Sequence, residues 1–235
     1  MAVQGPARVG IAPHAGWMFS GPTAGKVFRV FKDRSQPHVF ILFSATHSST
    51  SPHPVLYPEG QWDTPLGPVD VDADMAEVLV PFIKHLFPEA RIVPVLVPPT
   101  EEATVFGRAA GRVMQDAGEH VCAVASTDLT HYGMHPYGFE PKGRGEDALQ
   151  WVKQVNDRRF IDDALERNGE KILEHAARYR NACGAGAAAA AVTAAAQIGA
   201  SGALLEYTTS HDVLPQGPPA QFVGYAGLVF CGGGA

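Results

Sequence analysis

Continuous apolar runs alternate along this chain with segments whose apolar residues recur at helical spacing. The continuous runs predict buried strands, which fall at 8–13, 38–43, 91–97, 120–126, 203–209 and 222–231. The segments with helical spacing predict helices, which fall at 22–33, 75–86, 101–117, 145–180 and 183–197. Strands that alternate with helices are typical of a sheet covered on both faces. We therefore expect a single α/β domain over residues 1–235, three layers deep, with a largely parallel or mixed central sheet.

Proline and glycine mark the breaks in this pattern. The stretch between the second and third strands is rich in both and predicts a short hairpin or arm around 61–67. Pro22 predicts a helix start, because proline is favoured at the first helical position. Pro81 is expected to kink or split the helix over 75–86. Asn168-Gly169 divides the region over 145–180, which we expect to hold two or three helices.

The composition is that of an ordinary globular protein. The chain has 235 residues, 46% hydrophobic and 18% charged, so it can bury a large core without disulfides. Its formal charge of −6 offers no basic surface to nucleic acid or an anionic membrane. The three cysteines form no CxxC pair, which favours a reducing compartment. With no signal-peptide pattern and no apolar run of about 20 residues, we expect a cytoplasmic protein without a membrane or nucleic-acid partner.

Ionisable side chains follow three of the predicted strands at their carboxyl ends. His14 follows the first strand, His47 follows the second, and the fourth strand runs into Asp128 and His131. The carboxyl ends of parallel strands meet at one edge of a sheet, so residues far apart in sequence can share a crevice there. We expect Cys183, in the first turn of the alanine-rich helix, to join them.

A thiolate and two imidazoles would form a three-ligand face for a divalent metal ion. The positive end of the helix dipole is expected to lower the pKa of the Cys183 thiol and favour the thiolate. His14 and His47 would supply nitrogen ligands and leave coordination positions open for water or substrate. Asp128 and His131 would supply a fourth ligand, a partner that orients an imidazole, or a general acid or base.

The other cysteines and histidines have plainer interpretations. Cys122 and Cys231 lie within apolar strands and are expected to pack. A packing role, as a small residue that lets helix and sheet approach closely, stays open for Cys183 as well. His211, which follows the fifth strand, is the strongest unassigned site candidate. The remaining histidines fall at strand starts, in helices or in loops, namely His38, His53, His85, His120, His135 and His175.

Four short motifs occur in a fixed order along the chain. They are Ala12-Pro13-His14-Ala15-Gly16-Trp17, Ser44-Ala45-Thr46-His47, Ser126-Thr127-Asp128-Leu129-Thr130-His131 and Ala182-Cys183-Gly184. Together they resemble the Memo-like family, whose prokaryotic members are called AmmeMemoRadiSam system protein B. That family is similar to class III extradiol dioxygenases, which are non-haem iron enzymes. The resemblance implies an extradiol-dioxygenase-like fold, a metal site of His14, His47 and Cys183, and Asp128 and His131 beside it.

The chain departs from that family's pattern on the substrate side of the expected pocket. The family has a Glu-His-Ser-x-Glu-type stretch before a Leu-Pro-Phe helix, and here 74–82 runs on without it. Ser44-Ala45-Thr46 stands where the family has Gly-Pro-Ser or Gly-Pro-Asn. The dioxygenases have a carboxylate where this family has cysteine, so dioxygenase activity does not follow from the fold.

The leading hypothesis is a metal-binding redox enzyme, with iron the expected metal and copper or zinc as alternatives. His14, His47 and Cys183 would hold the metal, His131 would act as acid or base, and Asp128 would ligate or orient. Oxygen and a small organic substrate would use the open positions. A metal-free hydrolase or transferase with Cys183 as nucleophile is the second hypothesis. A non-catalytic module that docks a peptide or protein partner is the third.

Overall fold

The computed structural model describes residues 3–45, 51–56, 62–64, 67–69, 78–134 and 139–232. The strands are β1 Ala7–Ala12, β2 Val39–Ser44, β3 Val55–Leu56, β4 Trp62–Thr64, β5 Gly67–Val69, β6 Arg91–Leu96, β7 Val121–Ser126, β8 His131–Tyr132, β9 Ser201–Thr209 and β10 Phe222–Cys231. The α-helices are α1 Trp17–Arg34, α2 Val80–Leu86, α3 Glu102–Asp116, α4 Glu146–Trp151, α5 Asp157–Leu165, α6 Gly169–Tyr179, α7 Ala185–Gln197 and α8 Ser210–Val213.

Four parallel strands form the centre of one mixed sheet, in the spatial order β6, β2, β7, β1. β10 lies antiparallel beside β1, and both β9 and β8 pair antiparallel with β10. At the opposite edge, β3 pairs antiparallel with β6. The predicted α/β architecture with a mixed sheet is confirmed, and its parallel part consists of the first four strands predicted from continuous apolar runs.

The predicted elements agree with the structure except at a few ends. β4 and β5 form the predicted hairpin, with Trp62 opposite Val69. Pro81 lies in the first turn of α2, and the predicted helical residues 75–77 lie outside the described ranges. A π-helical turn, Val152–Asn156, joins α4 to α5, and Asn168 caps α6 through a bond from the Lys171 backbone N–H to its side chain. Within the described ranges, no helix combines the length and the apolar character needed to cross a membrane.

Helix α1 begins at Trp17, so the predicted start at Pro22 is wrong. The Trp17 indole donates a hydrogen bond to the backbone oxygen of Val78 at 3.0 Å and packs on Phe82 at a ring-centroid distance of 5.7 Å. These contacts come from a remote segment, so local sequence carries no sign of them. They hold the first turn in place, and Pro22 is accommodated inside the helix.

The two faces of the sheet are packed with different side chains. On the face of α1 and α2, aromatic rings fill the space, with Phe28 stacked on Phe82 at 5.4 Å and Phe31 against Phe40 at 5.5 Å. On the other face lies α7, whose residues from Ala185 to Ala195 are all buried. Alanine side chains let α7 sit close to the sheet while α3, α5 and α6 enclose it.

The contact between α3 and α7 is backbone against backbone. A Cβ placed on Gly107 of α3 would lie 2.4 Å from the carbonyl oxygen of Ala190 in α7. A methyl group there must push the two helices apart. Gly25 of α1 differs, because a Cβ at that position would meet Phe82 at 3.6 Å, an ordinary contact distance.

We therefore expect opposite effects from two glycine-to-alanine substitutions in helix interiors. Gly107→Ala should lower the free energy of unfolding by about 1–3 kcal/mol, the usual effect of overpacking. Gly25→Ala should raise it by up to about 1 kcal/mol, because alanine has the higher helix propensity. Urea unfolding of both variants checks this, and equal stability of the two would contradict the packing of α3 on α7.

Candidate functional site

The site lies where β1 and β7 end side by side. Ala12 is paired with Ser126 in the parallel register, and the backbone N–H of Thr127 donates to the Ala12 oxygen at 3.0 Å. From here β1 continues into α1 on one face of the sheet, and the chain after β7 leads to α5, α6 and α7 on the other. Adjacent strand ends whose connections leave on opposite faces open a crevice between them.

Asp128 fixes the turn that carries His14. Its Oδ1 accepts hydrogen bonds from the backbone N–H of His14 at 2.8 Å and from that of Ala15 at 3.2 Å. Asp128 is buried, so these charge-assisted bonds are made away from solvent. One oxygen of the carboxylate therefore serves to hold the turn, which supports the orienting role among those predicted for Asp128.

The His14 ring is held through both of its nitrogens. Nδ1 lies 2.6 Å from Ser126 Oγ, and Nε2 lies 3.1 Å from Cys183 Sγ. A thiol proton donated to Nε2 requires the ring proton to be on Nδ1, where Ser126 Oγ accepts it. A hydrogen bond to the far nitrogen fixes ring orientation and leaves Nε2 as the basic atom.

Cys183 is brought to His14 by the approach of the α7 amino end to β7. Its backbone N–H donates to the Asp128 oxygen at 3.2 Å, and the Asp128 N–H donates to Cys183 Sγ at 3.3 Å. Gly184 makes this possible, since a Cβ there would lie 2.4 Å from the Ser126 oxygen. Cys183 precedes the helix, which starts at Ala185 after the Gly184 cap, so its predicted place in the first turn is wrong.

The predicted lowering of the Cys183 pKa is also wrong. Burial, together with the negative charge of Asp128, raises the pKa of the Cys183 thiol to about 12. The hydrogen bonds to the sulfur act in the opposite direction and are too weak to offset the loss of solvation. At neutral pH the sulfur therefore keeps its proton unless a cation takes the proton's place.

His131 lies beside Asp128 on the solvent side of the site. Its Nε2 is 4.0 Å from Asp128 Oδ2, and its side chain is 16% exposed. The predicted third ligand, His47, lies outside the described residues. Within the described part of the chain, no group of three or more His, Cys, Asp or Glu side chains has the arrangement of a metal site. The structure thus brings together His14, Asp128, His131 and Cys183.

A buried carboxylate supports the segment that carries His131. Asp157 accepts hydrogen bonds from the Thr130 backbone N–H at 3.1 Å and from the Tyr207 hydroxyl at 2.8 Å. Burial raises the pKa of Asp157 to about 6. The sequence analysis missed this residue, because a charged position in a helical pattern is usually exposed.

A cavity of about 660 Å³ opens beside the site. Its lining includes Ala15, Asp128 and His131 as well as Ser210, His211 and Tyr225. His211 was the strongest unassigned candidate, and the cavity supports it. Tyr225 was missed, because every residue of β10 is buried and the sequence has no alternation to show which side chains face a cavity.

The remaining cysteines and histidines that the structure describes stand apart from this site. Cys122 and Cys231 are buried in the core beneath α1. His53 pairs with Glu102 and His175 with Asp163. The rings of His38 and His120 stack on each other at 4.4 Å.

Comparison with known proteins identifies the relatives of this chain. A sequence profile of the Memo-like protein family matches residues 3–80 and 76–229. The chain belongs to the Memo-like family. A MEMO1 family protein of Pyrococcus abyssi is 32% identical, covering 94% of this chain and 85% of the relative. Those of Pyrococcus horikoshii and Methanopyrus kandleri are 31% and 30% identical over 94% of this chain, covering 85% and 82% of their own lengths.

The departure from the Memo-like pattern has a counterpart in these matches. The two matching segments overlap at residues 76–80, within the stretch where the sequence lacks part of the family pattern. The alignment with the Pyrococcus abyssi protein spans 254 positions, more than the 235 residues of this chain, so the relative has residues that this chain lacks.

The stability of this Memo-like chain should depend on the hydrogen bonds of the Asp128 side chain. Asp128→Ala leaves the amides of His14 and Ala15 without their acceptor, and it should lower the free energy of unfolding by about 2 kcal/mol. Asp128→Asn keeps an acceptor oxygen and should lose less than half of that. Unfolding in urea with chelator present measures both, and equal losses in the two variants would contradict the orienting role.

Proposed function

We propose that this Memo-like protein binds a divalent metal ion through His14, His47 and Cys183 and acts on a small organic molecule by redox chemistry. The observation that carries the proposal is the 3.1 Å distance between His14 Nε2 and Cys183 Sγ, whose neighbours Ala15 and Asp128 line a cavity. Metal–nitrogen bonds are about 2.1 Å long and metal–sulfur bonds about 2.3 Å. One ion can therefore reach both atoms.

The residues around His14 Nε2 and Cys183 Sγ favour a bound metal ion over a metal-free histidine–cysteine pair. Ser126 at Nδ1 of His14 is the kind of partner that holds a metal-bound imidazole. The Cys183 sulfur lies in a setting where its proton is hard to remove without a cation. Iron is the first choice because the family is similar to non-haem iron dioxygenases, and a thiolate ligand also suits copper or zinc.

Asp128 would orient the turn of His14, and His131 would transfer protons. Asp128 keeps the turn of His14 in place through Oδ1. His131 lies at the cavity wall with its Nε2 near Asp128 Oδ2, so it can take or give a proton at that nitrogen. The bound metal would supply a redox centre and a Lewis acid.

The metal-free alternative uses Cys183 as a nucleophile with His14 as its base. The 3.1 Å contact between Sγ and Nε2 suits that arrangement. The high pKa of the Cys183 thiol disfavours it, because catalytic cysteines have lowered pKa values.

Iodoacetamide distinguishes the metal site from the metal-free nucleophile. A nucleophilic Cys183 would be alkylated within minutes at neutral pH in the presence of a chelator.

Metal content tests the proposed ligand set directly. Anaerobically purified protein should contain one metal ion per chain, and His14→Ala, His47→Ala and Cys183→Ala should each retain roughly a tenth or less of it, since even weaker perturbations of metal sites cost about 10–100-fold in affinity. Cys231→Ala and His175→Gln, which alter a cysteine and a histidine outside the site, are the controls. Equal metal content in all variants would overturn the proposal.

The pH dependence of Co(II) binding tests the role of the Cys183 proton. Because the pKa of Cys183 is about 12, the metal-free thiol is protonated at neutral pH and must lose its proton on binding. The affinity should therefore rise between about pH 7 and pH 9, by up to about tenfold per pH unit.

Cys183→Asp provides the matched control for this experiment. The ordinary pKa of a carboxylate lies well below that of a thiol, so the affinity of this variant should change much less over the same range. The wild-type protein should also show a sulfur-to-cobalt charge-transfer band that Cys183→Asp lacks. An affinity that is flat with pH in the wild-type protein would contradict thiol deprotonation on binding.

A further inference from the structure

We propose that the cavity beside the site selects uncharged or cationic organic molecules over anionic ones, and that Tyr225 donates a hydrogen bond to the bound molecule. This inference rests on the proposed function in taking the cavity as the substrate site. It adds the charge class of the substrate and a residue that determines specificity.

The charge preference follows from what the cavity wall contains. Asp128 contributes a carboxylate, and none of the described residues that line the cavity is lysine or arginine. All 18 lysines and arginines of the sequence fall within the described ranges. The residues outside those ranges therefore have no such side chain to contribute. A carboxylate or phosphate on the ligand would enter without a guanidinium or ammonium group to pair with it.

Lys153, which lies against the helix beside the cavity, is already paired. Lys153 Nζ lies 2.6 Å from Asp212 Oδ1. Asp212 in turn accepts hydrogen bonds from the N–H and the hydroxyl of Thr209, which closes a capping box at the start of α8. The ammonium group of Lys153 is therefore paired with α8, the helix whose residues Ser210 and His211 line the cavity.

Tyr225 lies in the cavity wall beside Ser210 and can donate from there. Ser210 Oγ accepts a hydrogen bond from the Val223 backbone N–H at 3.0 Å, which holds this part of the wall in place. Burial and the nearby charge of Asp128 raise the pKa of Tyr225 above its ordinary value, so the phenol stays protonated. A protonated phenol that lines the cavity has a hydrogen to donate to a bound ligand.

The rest of the wall indicates an apolar body for the ligand. Phe19, Met134, Leu214 and Phe222 contribute hydrocarbon surface beside the polar groups named above. A mostly apolar cavity with a few directed polar groups is typical of sites for small organic molecules, and about 660 Å³ is within their usual size range.

Three probe molecules with the same phenol skeleton test the charge preference. Tyramine is cationic at neutral pH, tyrosol is uncharged and 4-hydroxyphenylacetate is anionic. Calorimetric titration of the full chain should show tyramine and tyrosol binding at least tenfold more tightly than 4-hydroxyphenylacetate. The same order is expected in Cys183→Ala, where a metal can no longer attract the carboxylate. Equal or tighter binding of the anion to that variant, or no saturable binding by any probe, would overturn the proposal.

Tyr225→Phe tests the hydrogen bond. This variant should bind tyrosol three- to tenfold more weakly than the wild-type protein. Tyr132→Phe is the control, because Tyr132 is also buried but its hydroxyl bonds to the Gly143 oxygen and it does not line the cavity. Thermal unfolding confirms that both variants fold. Unchanged affinity in Tyr225→Phe, or the same loss in Tyr132→Phe, would remove Tyr225 from the proposal.

These outcomes are separate from those that test the metal. If the ligand variants show no loss of metal while the probes keep their order, the proposed function fails and the charge preference stands. If metal content depends on the three ligands while the anion binds best to Cys183→Ala, the proposed function stands and this inference fails.

Discussion

The site depends on the contacts that Asp128 makes in three directions at the end of β7. Its Oδ1 holds the turn that carries His14, its backbone exchanges bonds with Cys183, and its Oδ2 faces His131. The parallel pairing of β1 with β7 brings these segments within reach. A carboxylate buried at this point organises the site before any ligand arrives, and so the cost of arranging it is met during folding.

Close packing of small residues supplies the remaining constraint. Cys183 reaches His14 only because Gly184 lets the chain pass against the end of β7. The helix that follows is held by backbone contact with α3 at Gly107 and lies on the sheet through alanine side chains. The alanine-rich sequence of α7 is thus a requirement of the site as well as a source of helix propensity. Larger side chains would keep the amino end of α7 away from the strands.

Sequence analysis predicted the fold and much of the site for a clear physical reason. Continuous apolar runs identify buried strands, and the carboxyl ends of the parallel ones converge, so His14, Asp128 and Cys183 were correctly placed together. Properties set by contacts between remote segments were not predictable. The start of α1 depends on the contacts of Trp17 with Val78 and Phe82, and the high pKa of Cys183 depends on burial that no local pattern reveals. The place of His47 in the site stays a prediction.

The proposed function requires Cys183 and His14 to bind one metal ion at this edge of the sheet. X-ray absorption spectroscopy of the anaerobically purified protein, at the absorption edge of its bound metal, measures the ligand atoms. We expect one sulfur neighbour at about 2.3 Å together with imidazole nitrogens at about 2.1 Å, and loss of the sulfur signal in Cys183→Asp. A metal surrounded only by oxygen and nitrogen in the wild-type protein would rule out Cys183 as a ligand.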